Sequence, residues 1–233
     1  MAELTPASVR AGDALLARAP GYLPREQRYA GVPVFLWPAD DEGYVEQVVY
    51  WEFTDGSLRM VRWAGPFTLT LDGELAQDNA IVAKAREVAD EVQRVTGLAI
   101  TIGPGGACLV QLGPDLGESV GRAELRFSGA TIVGATLGFA SRGEITGGRG
   151  SDWRNTLLHE MGHAIGLLHS PNDRDVMTPG AGPGTRVAHY QEHESAALHM
   201  MYYHRSAGNR LPDKDPQLAG ATAATPRVTV IVD

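Results

Sequence analysis

Cysteine is nearly absent: Cys108 is the only one in 233 residues. A single thiol cannot close an internal disulfide, and a zinc site built on cysteine sulfur is excluded with it. Cys108 sits in an apolar run, Cys108-Leu109-Val110, and reads as a small core residue. Long hydrophobic runs are missing as well. No stretch approaches the roughly eighteen apolar residues that a membrane span needs. Basic residues are outnumbered, 20 Lys and Arg against 28 Asp and Glu, for a net charge of −8. Nucleic acid and anionic membranes both require basic surface, so neither is an expected partner. Solubility alone accounts for the acidity. The opening residues, Met1-Ala-Glu-Leu-Thr-Pro, lack the basic-then-apolar pattern of a secretory signal.

What is present is an ordinary globular balance, 43% apolar and 21% charged, with length enough for one good-sized core. Residues 1–44 read as an N-terminal extension rich in Pro, Gly, Ala and charge, with a short helix near 7–18. The main domain is expected over 45–205. It opens on a hairpin, 48–63, turning at Thr54-Asp55-Gly56-Ser57. Phe67, Leu69 and Leu71 alternate with threonines as in a half-buried strand. Ile81, Ala85, Val88, Val92 and Val95 form one helical stripe between an N-cap, Asp78, and a stop, Gly97. Short strands follow at 98–102, 108–112, 123–127 and 131–139. Of the 28 glycines, 13 fall between 102 and 150, which fits tight turns and argues against a long helix there. A second helix is expected from Ser151, with Trp153, Leu157, Met161 and Ile165 on its buried side, and a last one over 191–203. Residues 206–233 read as a tail: a small-residue linker, 218–226, then a strand-like run, 228–232. The succession of elements is α+β.

The chemistry concentrates in residues 159–169, His-Glu-Met-Gly-His-Ala-Ile-Gly-Leu-Leu-His. On a helix, His159 and His163 stand one turn apart on the same face and can share a metal. Glu160 lies beside the first of them, where its carboxylate reaches water at the metal without coordinating. Gly166 permits a left-handed turn that ends the helix and brings His169 round to a third position. Three imidazoles with a fourth position open describe a catalytic zinc site. At the chain's own residue frequencies these five positions coincide by chance about once in 10⁴ to 10⁵ such chains, so accident is a poor explanation. A wet-faced amphipathic helix would explain two histidines but not the glutamate, the glycine and the third histidine together. His189 and His193 make a second pair four apart, but no third ligand accompanies them, and they read as surface or helix-entry residues.

The stretch resembles the metzincin metallopeptidases, whose signature is His-Glu-x-x-His-x-x-Gly-x-x-His followed by a Met-turn. Met177, eight residues past His169, together with Ser170 and Pro179, is similar to the matrixin branch. The order of elements over about 61–205 is similar too. The resemblance implies a zincin-like α+β fold: a short twisted mixed sheet, a long helix, an active-site helix, a Met-turn and a C-terminal helix. It implies zinc on His159, His163 and His169, Glu160 as general base, and Gly166 and Met177 as structural residues of the site. Pro179 stands where other branches keep a tyrosine, so no tyrosine ligand is expected. Neither a latency cysteine nor the four cysteines of archaemetzincins are present. Calcium is left open, since no aspartate-rich loop marks a site for it.

In metzincins the substrate lies extended and antiparallel along an edge strand above the active-site helix. The matching segment is taken to be 131–139, with Gly134, Ala135, Thr136 and Leu137 letting a backbone approach. The expected activity is cleavage of protein or peptide substrates as an endopeptidase. The competing readings are an exopeptidase and a non-catalytic zinc-containing peptide-binding module. The family resemblance implies an extracellular or cell-envelope location.

Overall fold

The computed structural model describes residues 2–4, 11–28, 30–113, 116, 119–147, 155–179, 188–211, 213–216 and 227–232. The first residues form two small antiparallel pairs: β1 (Ala2–Leu4) with β4 (Val34–Leu36), and β2 (Ala14–Ala17) with β3 (Arg25–Arg28). Residues 14–17, expected within a short helix, are thus a strand. Leu23 and Trp37 from this extension are buried in the main core.

Helix α1 (Glu42–Val49) takes up the start of the expected hairpin. Val45, Val48 and Val49 recur at helical spacing and bury one face, and this overrides the β preference of the valines. The hairpin proper is β5 (Tyr50–Glu52) against β6 (Leu58–Met60). Beyond it, β7 (Arg62–Trp63) leaves the hairpin for the main sheet.

That sheet is built from β8 (Phe67–Leu71), β9 (Ile100–Ile102), β10 (Cys108–Leu112), β11 (Gly121–Ser128), β12 (Thr131–Phe139) and β13 (Arg227–Val232). Their order across the sheet is β13-β11-β12-β10-β8-β9, with β7 also pairing to the start of β12. Neighbouring pairs among β12, β10, β8 and β9 are parallel, whereas β11 is antiparallel to both β12 and β13. In β8, Phe67, Leu69 and Leu71 are buried while Thr68 and Thr70 face the wet side, so one face of the sheet carries the core.

Helix α2 (Asn79–Thr96) lies on the core face through Ile81, Ala85, Val88, Val92 and Val95. Its caps are the expected ones. The Asp78 carboxylate accepts from the amides of Ala80 and Ile81, and Gly97 closes the helix at φ +72 with its N–H on the Gln93 carbonyl. A short α3 (Arg142–Thr146) precedes α4 (Thr156–Ala164), which carries the histidine motif, and α5 (Glu192–His204) follows. Ser151 and Trp153, expected in the first turn of α4, lie outside the described residues. Asn155 caps α4 instead, accepting from the Leu158 amide.

Residues 206–211 and 213–216, past the expected end of the domain, are tied into it and into the N-terminal extension. Gly208 N–H donates to the Met60 carbonyl, Leu211 N–H to that of Leu58, and Asp215 N–H to that of Glu26. The expected linker at 218–226 lies outside the described residues. The strand-like run beyond it does pair, as β13 on β11.

Candidate metal centre

The site begins with the last turn of α4. Gly166 N–H donates to the His163 carbonyl and Leu167 N–H to that of Gly162, each at 2.9 Å. This pair of bonds around a left-handed residue is a Schellman closure, and Gly166, at φ +106, supplies the left-handed residue. A side chain at Gly166 would also strike the Val61 carbonyl oxygen, since a Cβ there would lie 2.2 Å from it. Two indoles hold the turn from outside: Trp51 Nε1–H donates to the Gly166 carbonyl at 2.8 Å and Trp63 Nε1–H to that of Ala164 at 2.7 Å. The chain then reverses, Leu168 N–H bonds the Val48 carbonyl, and His169 returns to the face of α4 that carries His159 and His163.

The three rings surround one point. His159 and His163 have centroids 4.8 Å apart, His163 and His169 also 4.8 Å, and His159 and His169 5.6 Å. The Nε2 atoms of His163 and His169 are 3.2 Å apart. Two nitrogens at ~2.0–2.1 Å from a tetrahedral zinc would be separated by about 3.3 Å, so this spacing fits the ion. The tautomers agree. His159 Nδ1 lies 2.5 Å from the Val176 carbonyl and His163 Nδ1 2.8 Å from that of Leu167. A carbonyl only accepts, so Nδ1 carries the proton in both rings and each Nε2 lone pair is left for a metal. Among the described residues, this trio is the one group of three or more metal-ligating side chains close enough to share an ion.

Glu160 is fully buried on the same helix. Its carboxylate lies against the start of β11: a Cβ at Gly121 would be 2.2 Å from Oε1 and 2.8 Å from Cδ. Gly121 is therefore the bare spot in the sheet that accommodates this acid. Met177 packs under α4, with its sulfur 2.1 Å from where a Cβ at Gly162 would be. The turn that presents it is held from α5, because the Glu194 carboxylate accepts the amides of Val176, Met177 and Gln191. Burial raises the Glu194 pKa to about 7, against the opposing pull of those three amides.

Several residues of this surround carry no local signature. Asp175 is buried and accepts from Ser170, from Tyr44 and from the ring of His193, which places it at the junction of α1, the Met-turn and α5. His189 lies against Glu91 of α2 instead. The second histidine pair therefore diverges to two carboxylates and shares no ion. Glu91, Asp175 and Glu194 are single acids in polar segments, indistinguishable by spacing from surface residues. Gly121 is one glycine in a glycine-rich stretch.

β12 is not the edge strand expected from the sequence. Gly134, Ala135, Thr136 and Leu137 lie in β12, which has β11 on one side and β10 on the other along 135–139. Its backbone groups are committed on both sides, so it is no edge. Gly134 instead makes room for the Arg126 guanidinium, whose Nη2 would be 2.3 Å from a Cβ at that position. The strand lying against Glu160 is β11, which pairs with β12 on one side and β13 on the other. The burial patterns already separate the two: β11 alternates strictly, whereas β12 is almost continuously buried, as an inner strand is.

The sequence family whose model is described as Matrixin matches residues 76–203, more than half of the chain. The chain belongs to the matrixin family. The match covers the sheet from β9 to β12 together with α2, α4, the Met-turn and nearly all of α5. Matrixins are zinc metallopeptidases, and the histidine trio of this matrixin is compatible with that ion. No curated protein matches the chain in sequence. Among the described residues, no helix of this matrixin is long and apolar enough to cross a membrane.

Proposed function

We propose that the chain is a zinc-dependent endopeptidase in which His159, His163 and His169 hold the metal and Glu160 is the general base. The observation that carries this reading is the buried Glu160 carboxylate, on the helix that carries His159 and His163 and packed against the start of β11. Zinc bound there would supply Lewis acidity, making water acidic near neutral pH and polarising a carbonyl. Glu160 accepts the proton of the attacking water and returns it to the departing amine, so one carboxylate serves as base and then as acid. His159 and His163, oriented by their backbone partners at Nδ1, would hold the ion through Nε2. The peptide to be cut lies along β11, antiparallel to it, where main-chain hydrogen bonds give affinity without demanding a particular sequence. Substrates are proteins or peptides, and the place of action is outside the cell or in its envelope.

The test is digestion of end-blocked peptides by the zinc-loaded chain, with the cuts located by mass spectrometry. Internal cuts are expected, whereas trimming of free ends alone would indicate an exopeptidase. Glu160→Gln should keep about one zinc per chain and lose at least about 10²-fold in kcat, the lower range of general-base catalysis. Near-parental cleavage by the zinc-loaded Gln variant would overturn the mechanism.

A further inference from the structure

The rim of the sheet next to Glu160 is already covered, by a segment of the same chain. β13 runs antiparallel to β11 over six consecutive pairs, from Phe127 opposite Arg227 to Arg122 opposite Val232. The other side of β11 is bonded to β12. The β11 groups facing β13 are therefore the row that an incoming peptide would need, and one row admits one strand.

Direction and register add to this. β11 begins at Gly121, whose bare α-carbon touches the Glu160 carboxylate, and β13 proceeds toward that end. Val232 pairs with Arg122, the residue next to Gly121. The segment thus approaches the catalytic acid along the rim in the antiparallel sense required of a substrate. Its composition, Arg-Val-Thr-Val-Ile-Val, is almost wholly β-branched and favours an extended backbone. The segment is also tethered. Asp213 is buried against Arg205, and ten residues, 217–226, separate Pro216 from Arg227.

We propose that residues 227–232 are an autoinhibitory strand, an internal occupant of the peptide-binding rim that must leave β11 before substrate can pair there. The proposal rests on the reading of β11 as the peptide-binding strand. A short tether gives an effective concentration on the order of millimolar, so even a weakly bound strand competes with micromolar substrate. Competition of this kind raises KM and leaves kcat unchanged.

Two variants of the full zinc-loaded chain test it. Thr229→Pro with Val230→Pro removes adjacent amides, one of which must face β11. Hydrolysis of an end-blocked quenched peptide should show KM lowered at least 10-fold with kcat unchanged, and those amides of residues 122–127 that face β13 should exchange faster with solvent. Faster exchange with unchanged KM would overturn the proposal, as would amides equally unprotected in the parent chain. Should the proline pair prevent folding, Glu124→Cys with Val230→Cys decides, because these residues are directly opposed. Its oxidised form should be at least 10-fold less active than the same protein after reduction. Equal activity, or failure of the disulfide to form, would overturn the proposal. If no form cleaves any peptide, the peptidase reading fails by itself. Competition is then read as affinity for the same peptide in the Glu160→Gln background: a gain on adding the proline pair supports the occupant, and no gain overturns it.

Discussion

At the residue scale, two glycines make room for side chains packed at the candidate metal centre. Gly162 leaves space for the Met177 sulfur beneath α4, and Gly121 leaves space for the Glu160 carboxylate against β11. The second is open to a direct test. In Gly121→Ala the new methyl would lie 2.2 Å from Oε1, so the carboxylate must move by about an ångström. Misplacement on that scale costs roughly 10²-fold in rate. The expected variant is folded and zinc-loaded, with kcat reduced about 10²-fold, measured on the same blocked peptide as the parent. Parental turnover would mean that Glu160 has freedom the packing denies it. The grouping of the three histidines and the turn at Gly166 were legible in the sequence because their spacing is set within one helix and its closing turn, where local geometry rules. Gly121 was not, because its reason for being glycine lies 39 residues away in the chain.

At the scale of elements, the same division holds. α2 was readable with both caps, since an N-cap carboxylate and a left-handed glycine act on their own helix. Strand order was not, because it depends on which strands meet from distant parts of the chain. The interior position of β12 was signalled only by its near-continuous apolar run. The hold of α5 on the Met-turn was equally hidden, although it makes a measurable prediction. Glu194 has a folded pKa raised to about 7 from the ordinary 4.5. Between those values the native state binds a proton that the unfolded state lacks. The contribution of Glu194 is therefore full below about pH 4.5 and is lost as pH rises to 7, at about 1.4 kcal/mol per pH unit at most. Urea unfolding across pH 4.5–8 should show this slope in the parent chain and not in Glu194→Gln. The Gln variant should also be less stable by about 1–3 kcal/mol at pH 7, because an NH₂ group now faces buried amide donors. Identical pH profiles would show that Glu194 stays ionised throughout.

For the molecule as a whole, the N-terminal extension, the end of α5 and the segment after it meet at one buried acid. Asp213 accepts from Arg205 at 2.5 and 3.0 Å and from Asn209 at 2.9 Å, and Asn209 in turn accepts from the Tyr50 hydroxyl at 2.6 Å. Arg25 of the N-terminal extension approaches the same carboxylate at 3.9 Å and donates to the His204 carbonyl at the end of α5. Burial, with the neighbouring Arg205 charge, lowers the Arg25 pKa to about 10. Two guanidiniums thus depend on one carboxylate. Asp213→Ala should cost about 3–5 kcal/mol in denaturant unfolding, the usual penalty for leaving a buried charge uncompensated. A loss under 1 kcal/mol would mean that water replaces the acid. The two indoles that grip the end of α4 carry a consequence of a different kind. The chain has four tryptophans, and the N–H groups of Trp51 and Trp63 both end on carbonyls of the turn leading to His169. Indole emission shifts to the red when that group is handed from a buried carbonyl to water. Intrinsic fluorescence therefore supplies a built-in optical gauge of whether the loop bearing the third histidine is latched, readable during chelation or heating without any attached dye.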